Sequence, residues 1–252
     1  MGEEQSAFVL HTRAHKENQL MVTLLTELSG KVNTLIFVGQ SNKSTKKGLL
    51  QPFTPLSVSF KNKDTFKFLT RVEAIAPSYP LKKDHLFSGF YLNELLVKLL
   101  SNDIDCQTLF LAYKRCLEKL NNEEDLSIVL RHFELFLIDE LGMSFDFSPL
   151  HEMYTVYTDK MGDSIKEKAK GFYYLPEQGF VAAFNEQNSH CYDREHLELI
   201  EQFIHSKQAT ELGKAKLTFK LLMRQVINQL LGNQPLNSRA LFKRKKAPQN
   251  NL

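Results

Sequence analysis

A concentration of positive charge is the first feature of this sequence that could do chemistry. Between Lys31 and Arg71 there are eight basic residues and one acid, Asp64, which gives +7, whereas the whole 252-residue chain carries +3. Clustered positive charge favours a polyanion, above all nucleic acid. The alternative is a solvated lysine-rich rim that protects a strand edge, and charge alone does not decide. The candidate nucleic-acid-binding residues are Lys31, Lys43, Lys46, Lys47, Lys61, Lys63, Lys67 and Arg71.

Aromatic residues interleave with these lysines. Proteins that hold single-stranded nucleic acid combine a basic groove with aromatic side chains on which bases stack. We expect most of these rings to fill the core of a barrel, and the sequence leaves open which of them stacks on a base. The five rings belong to Phe37, Phe53, Phe60, Phe66 and Phe68.

A second basic cluster falls in the middle of the chain. Lys114, Arg115 and Lys119 lie on one predicted helix, and Arg131 is the only arginine in the next, Leu126–Leu141. Cations beside an apolar groove suit a protein partner with an acidic, Phe-bearing tail. Ordinary helix-surface charges explain the local pattern equally well.

Enzymatic signatures are missing from the sequence. Gly39–Thr45 lacks the second glycine of a phosphate-binding P-loop, and no dinucleotide fingerprint or zinc-protease helix motif occurs. His132 and Glu134 are two residues apart, so they do not face each other on a helix. Asn93 and Glu94 lie in an apolar helix, where a satisfied core polar group or a helix edge that faces a loop is the simpler interpretation. An enzyme built around Glu94 is the third class of function. We therefore predict a binding protein rather than an enzyme.

Composition sets further bounds. No apolar run reaches the ~18–20 residues of a membrane helix, and the N-terminus is acidic where a secretory signal would be basic. These features predict a cytoplasmic protein without a membrane segment. The odd number of cysteines and their spacing predict free thiols, and His151, His190 and Cys191 do not form a zinc signature.

The first 80 residues are predicted to form a small closed β-barrel, with an OB-fold as the best single match. Five short strands separated by turns and no long helix support this fold, and Leu56–Phe60 alternates large and small residues. Gly39–Gly48 is predicted as an exposed loop. The predicted strands are residues 7–11, 20–26, 31–38, 56–60 and 66–75.

The remainder is predicted to be mostly helical, so the fold class is α+β. Gly142 and Gly232 are expected to end helices, and Asp193 or Ser189 to cap one. We predict an OB-fold domain at 1–80, a helical domain at 81–242 with a β insert near 150–190, and a basic disordered tail at 243–252. The predicted helices are 86–100, 106–120, 126–141, one ending at 204, and 209–231, and the insert strands are 154–158, 172–175 and 179–184.

Five stretches taken together resemble the RecO family of bacterial recombination mediators. Their order and spacing match the family over nearly the whole chain. No single stretch is decisive, but five in register are specific. The stretches are residues 7–11, 47–56, 89–96, 131–135 and 235–241.

The resemblance implies a function. The family binds single- and double-stranded DNA, anneals complementary strands, binds the acidic C-terminal tail of single-strand-binding protein and works with RecR to load RecA. Arg131 matches a family position associated with that tail, and Lys114, Arg115 and Lys119 are expected to assist it. We expect a monomer in the bacterial cytoplasm, associated with the nucleoid. The alternative is an OB-fold RNA-binding factor of the ribosome-assembly type.

Two departures from the family pattern change these expectations. Many relatives carry a four-cysteine zinc site between the central and last helices, but residues 142–190 contain no cysteine. We therefore predict no metal and no other cofactor. Relatives often have basic residues beside the glycine that matches Gly39. Here its neighbours are Val38 and Gln40, which shifts the expected DNA surface towards the lysines at 43, 46 and 47.

Overall fold

The computed structural model describes residues 3–38, 45–63, 66–102, 104–152, 154–158, 162, 164–183, 191–206 and 212–243. The chain divides into two compact units. The first unit comprises residues 1–137 and 234–252, and the second comprises residues 138–233. The first unit includes residues on both sides of the predicted boundary at residue 80, and the predicted division into domains stays a prediction.

Five strands close into a barrel in the order β1-β2-β3-β5-β4, which confirms the predicted OB-like fold. β1 (Gln5–Lys16) pairs antiparallel with β2 (Gln19–Thr26) and with β4 (Leu56–Lys63). β2 pairs antiparallel with β3 (Gly30–Phe37), which meets β5 (Phe66–Ala74) in parallel. Antiparallel pairing of β4 with β5 completes the closure.

Alternating side chains fill the barrel. Leu56 and Val58 are fully buried, whereas the intervening Ser57 and Ser59 are half-buried, as the period of a strand requires. Burying each large apolar side chain contributes about 1.5–3 kcal/mol. The core consists of Ala7, Val9, Val22, Leu24, Ile36, Val38, Leu50, Leu56, Val58, Leu69 and Val72.

Two predicted connections differ from the structure. β1 continues beyond the predicted strand at 7–11 as far as Lys16, because residues between 12 and 16 also pair with β2. The predicted loop at 39–48 contains a short helix, α1 (Thr45–Leu49), which delivers Leu50 to the barrel core. Residues 39–44 lie outside the described ranges.

Three long helices follow the barrel and confirm the predicted helices there. They are α2 (Lys83–Leu99), α3 (Gln107–Asn121) and α4 (Leu126–Glu140). Gly89 on α2 allows a close approach, since a Cβ there would lie 2.8 Å from the buried ring of Phe53. The first-unit stretches 47–56 and 89–96, which carry the family resemblance, therefore contact each other.

The second unit contains the predicted β insert. Its strands β8 (Gly171–Leu175), β9 (Gly179–Ala182) and β10 (Tyr192–Asp193) form one sheet in the order β10-β8-β9. Strands β6 (Tyr154–Thr158) and β7 (Ser164–Lys168) form a separate hairpin.

Helices complete the second unit. They are α5 (Ser148–Glu152), α6 (Arg194–His205) and α7 (Lys216–Leu230), and α8 (Ser238–Lys243) returns to the first unit. Asp193 caps α6, as predicted, by accepting hydrogen bonds from the backbone N–H groups of Glu195 and His196. α7 begins at Lys216, later than the predicted start at residue 209, because Gly213–Ala215 forms a 3₁₀ turn. Residues 207–211 and Ser189 lie outside the described ranges.

Glycines end two helices as predicted. Gly142 and Gly232 lie two residues after the last residues of α4 and α7 and adopt φ values of +76° and +57°. Other residues adopt this conformation at a cost. No helix within the described ranges is long and apolar enough to cross a bilayer.

Candidate nucleic-acid and peptide interfaces

A groove on the barrel brings together three of the predicted DNA-binding residues. Its volume is about 1140 Å³. Arg71 lies 3.1 Å from Glu4 and 3.0 Å from Glu73, so its charge is already compensated. Lys61 and Lys67 line the same groove. The lining residues are Glu3, Glu4, Gln5, Leu28, Ser29, Ser59, Phe60, Lys61, Lys67, Thr70 and Arg71.

Lys31 is not on the surface. It is 8% exposed, and its Nζ donates a hydrogen bond of 2.9 Å to the carbonyl oxygen of Val97 at the end of α2. Burial lowers the pKa of Lys31. This ammonium joins the barrel to α2 and is not offered to a ligand.

The remaining predicted lysines are only partly described. Lys47 is half-buried on α1. Lys43 lies outside the described residues, as do the side chains of Lys46 and Lys63. The structure thus brings Lys61, Lys67 and Arg71 into one groove, and the placement of Lys43 and of the Lys46 and Lys63 side chains stays a prediction.

Two of the five interleaved phenylalanines lie together at the barrel surface. Phe37 is 59% exposed at the end of β3. Its ring centroid lies 6.0 Å from that of Phe68 on β5, with the planes 11° apart. Phe60 packs against the barrel core, as expected, while Phe53 is buried beside Phe90 on α2. The side chain of Phe66 lies outside the described residues.

A second groove, of about 380 Å³, lies between α3 and α4. Arg115 and Lys119 line it, whereas Lys114 is exposed but does not. Sequence reasoning missed His132, which also lines the groove. Burial and the nearby Lys119 lower the pKa of His132. The other lining residues are Thr108, Leu111, Ala112, Cys116, Val129, Phe133 and Phe136.

Arg131 is buried beside this groove rather than in its lining. It is 8% exposed, and its guanidinium donates a hydrogen bond to the fully buried carboxylate of Glu134. The hydroxyl of Tyr91 donates to the same carboxylate oxygen at 2.6 Å. Burial raises the pKa of Glu134, and Arg131 and Tyr91 offset part of that rise. The i, i+3 spacing of Arg131 and Glu134 within an apolar helix was the signal that could have predicted this pair.

Asn93 is a satisfied core residue, as the simpler interpretation predicted. Its amide donates to the carbonyl oxygens of Val9 and Leu10 at 3.4 and 3.2 Å. Its own oxygen accepts a 2.5 Å hydrogen bond from Tyr113. Asn93 therefore ties α2 to both β1 and α3.

Glu94 caps a helix, which explains why it lies in the apolar α2. Its carboxylate accepts hydrogen bonds from the backbone N–H groups of Asn237 and Ser238 at 2.9 and 2.8 Å, and from the Ser238 hydroxyl at 2.7 Å. Burial alone would raise the pKa of Glu94, but these donors and Lys98 outweigh it and lower the pKa. The interaction anchors α8 on α2.

Glu94→Gln is expected to loosen the start of α8. Losing the charge should speed amide hydrogen exchange at Asn237 and Ser238 roughly five- to thirtyfold, equivalent to about 1–2 kcal/mol. In the wild type the protection is present above the ordinary glutamate pKa of 4.5 and lost as pH falls through the lowered value. The glutamine variant should lack this acid step. Equal exchange in Glu94→Gln and the exposed control Glu123→Gln would refute the capping role.

The described residues contain no group of three or more His, Cys, Asp or Glu side chains that could hold a metal ion. Cys106 and Cys116 are buried and Cys191 is half-buried. Burial raises the pKa of Cys116 to about 12, which keeps this thiol protonated near neutral pH.

Comparison with known proteins identifies the family. The family described as "Recombination protein O N terminal" matches residues 1–78, and "Recombination protein O C terminal" matches residues 84–240. The DNA repair protein RecO of Pasteurella multocida is 36% identical over 239 residues, which cover 94% of this chain and 93% of the relative. Its counterpart in Haemophilus influenzae strain 86-028NP is 34% identical over 241 residues, 96% of both chains. That of Enterobacter sp. strain 638 is 34% identical over 240 residues, covering 95% and 96%. The chain belongs to the RecO family of DNA repair proteins.

Proposed function

We propose that this chain is a non-enzymatic recombination mediator that binds single- and double-stranded DNA. The observation that carries the proposal is an OB-like barrel whose sequence from 31 to 71 has a charge of +7. OB-like barrels bind oligonucleotides on their outer strands and loops. Cations neutralise phosphates and release counterions from the strand.

Six lysines are the candidate phosphate ligands, and about five of them are expected to contact a bound strand at once. Lys31 is left out because it donates to a helix carbonyl, and Arg71 because two carboxylates compensate it. Lys61 and Lys67 line the barrel groove. The six lysines are Lys43, Lys46, Lys47, Lys61, Lys63 and Lys67.

The groove between α3 and α4 is proposed to bind the acidic C-terminal tail of single-strand-binding protein. Apolar side chains supply a site for an aromatic residue of the tail, with Leu111 and Phe136 exposed at 40% and 36%. Arg115 and Lys119 supply charges complementary to its carboxylates. Arg131, which the family resemblance associated with this tail, acts here through Glu134 by holding α4 in place.

A charge reversal tests the groove directly. Arg115→Glu with Lys119→Glu is expected to weaken binding of an acidic peptide ending in Phe, by roughly 1–3 kcal/mol per lost charge-assisted contact. Calorimetry with the free peptide measures it. Lys114→Glu is the matched control, because Lys114 is exposed on the same helix but does not line the groove. Equal losses in both variants would indicate a general charge effect and refute the site.

Strand annealing tests the function as a whole. Adding this chain to complementary strands coated with single-strand-binding protein should accelerate their annealing, and adding RecR should promote loading of RecA on the coated strand. A structured RNA at equal salt is the competitor for the ribosome-assembly alternative. Preferential binding of that RNA, together with no acceleration of annealing, would replace the proposed function.

A further inference from the structure

A pair of aromatic rings, the exposed Phe37 and the half-buried Phe68, lies where three strands of the barrel meet. Leu35 on β3 pairs with Met21 on β2 and with Phe68 on β5, and Phe37 follows two residues later on the same face of β3. The rings of Phe37 and Phe68 are nearly parallel. Phe37 is 59% exposed, so this ring contributes little to the core.

Two cations flank the pair. Arg13 on β1 contacts the sulfur of Met21, with its Nη2 at 3.0 Å and its Nε at 3.3 Å. Lys61 on β4 is directly opposite Phe68 in the strand register. Both Arg13 and Lys61 are exposed. The outer surface of β1 to β5 at this end thus presents aromatic rings between two positive charges.

Single-stranded nucleic acid has the matching chemistry. Its bases expose π-faces at regular intervals along a chain of phosphates, and base–aromatic stacking is a recurrent source of affinity in single-strand binding. In a duplex the base faces are already stacked on one another, so a side chain reaches them only at the cost of unstacking base pairs. The surface that includes strands β2 and β3 is also the one with which OB-folds take up oligonucleotides.

We propose that Phe37 and Phe68 form a stacking platform for the bases of single-stranded DNA, with Arg13 and Lys61 holding the adjacent phosphates. This inference rests on the proposed DNA binding and deepens it. The six lysines contribute a charge effect that acts on single strands and duplexes alike. The platform adds affinity for unpaired bases and so gives a preference for single strands.

The test compares two substitutions against two strands. Phe37→Ala removes the exposed ring, and Ile75→Ala is the matched control because Ile75 is also 59% exposed and follows β5 of the same barrel. One fluorescent probe is a single-stranded oligodeoxynucleotide, and the other is an abasic strand of the same length. Phe37→Ala should weaken binding of the normal strand about tenfold and leave binding of the abasic strand unchanged. Phe37→Tyr should bind the normal strand as the wild type does, since tyrosine keeps the aromatic ring.

Salt dependence separates the platform from the charges. The slope of log K against log salt should be equal in the wild type and Phe37→Ala, because no phosphate contact is removed. Unchanged binding of the normal strand by Phe37→Ala, or an equal loss with the abasic strand, would overturn the platform while leaving the proposed DNA binding intact. An absence of DNA binding by the wild-type chain would instead overturn the proposed function. An equal loss in Ile75→Ala would show a structural effect and also overturn the platform.

Discussion

Replacing Arg131 by Ala is expected to lower the free energy of unfolding by about 3–5 kcal/mol, because the carboxylate of Glu134 would remain buried without the guanidinium that donates to it, and only Arg239 would remain as a cation that offsets its burial. Glu134 is 0% exposed, and Arg131 and Tyr91 both donate to its Oε1. After the substitution only the Tyr91 hydroxyl would remain of these two donors. Chemical denaturation monitored by circular dichroism measures the change.

The pH dependence identifies the cause of this loss. Burial already raises the pKa of Glu134 in the wild type, and losing Arg131 raises it further. A carboxyl whose folded pKa is raised favours folding below its ordinary pKa, and that contribution is lost as pH rises through the folded value. The loss of stability caused by Arg131→Ala should therefore be smaller near pH 5 than near pH 8, because Glu134 is protonated at the lower pH and about one charge fewer is buried.

Two further variants control this experiment. Adding Glu134→Gln to Arg131→Ala should recover much of the stability, because a neutral amide needs no counter-charge and can still accept from Tyr91. Arg115→Ala, on an exposed arginine, should change stability by no more than about 0.5 kcal/mol. An Arg131→Ala variant that is as stable as the wild type at both pH values would contradict the buried pair. Peptide binding should be compared in the double variant, where folding is retained.

The second large effect is expected at the barrel. Reversing Lys43, Lys46 and Lys47 to Glu should weaken single-stranded DNA binding by roughly 100-fold or more at about 50 mM salt, because each lost phosphate contact forfeits about 0.7 of a released counterion. Fluorescence anisotropy with a labelled oligonucleotide measures the affinity. Unfolding curves of the variant should match the wild type if these side chains are on the surface.

The control for this variant carries the same change in total charge. Lys216, Lys220 and Arg224 are exposed on α7 of the second unit. Reversing these three to Glu makes the chain equally acidic but leaves the barrel lysines in place. This variant should bind nearly as the wild type, because its barrel lysines can still contact the phosphates. Equal losses in both triple variants would show that binding depends on net charge and not on this segment.

The strands and helix ends that depend on neighbouring residues in the sequence were predictable. The alternation at Leu56–Phe60 predicted β4, and Asp193, Gly142 and Gly232 marked helix ends where they occur. These features depend on neighbouring residues and on backbone conformation. The predicted loop at 39–48 was wrong for residues 45–48. The helix α1 forms there, and Leu50, which follows it, is buried in the barrel core.

The site residues were less predictable, because their roles depend on partners far along the chain. Lys31 donates to a carbonyl 66 residues away, and a charge count cannot distinguish such a lysine from one in solvent. Phe37 and Phe68 meet only because β3 and β5 pair when the barrel closes. Glu94 accepts hydrogen bonds from Asn237 and Ser238, which follow it in the sequence by 143 and 144 positions. Spacing within one helix or strand carries no information about such contacts.

The salt dependence of single-stranded DNA binding tests the central claim most directly. If about five lysines of the barrel contact phosphates, log K should fall with log salt with a slope near −3 to −4, from roughly 0.7 per phosphate. The variant with Lys43, Lys46 and Lys47 reversed should show a shallower slope, by about 2. A wild-type slope near zero, or the same slope in this variant, would contradict a barrel that binds DNA through these lysines.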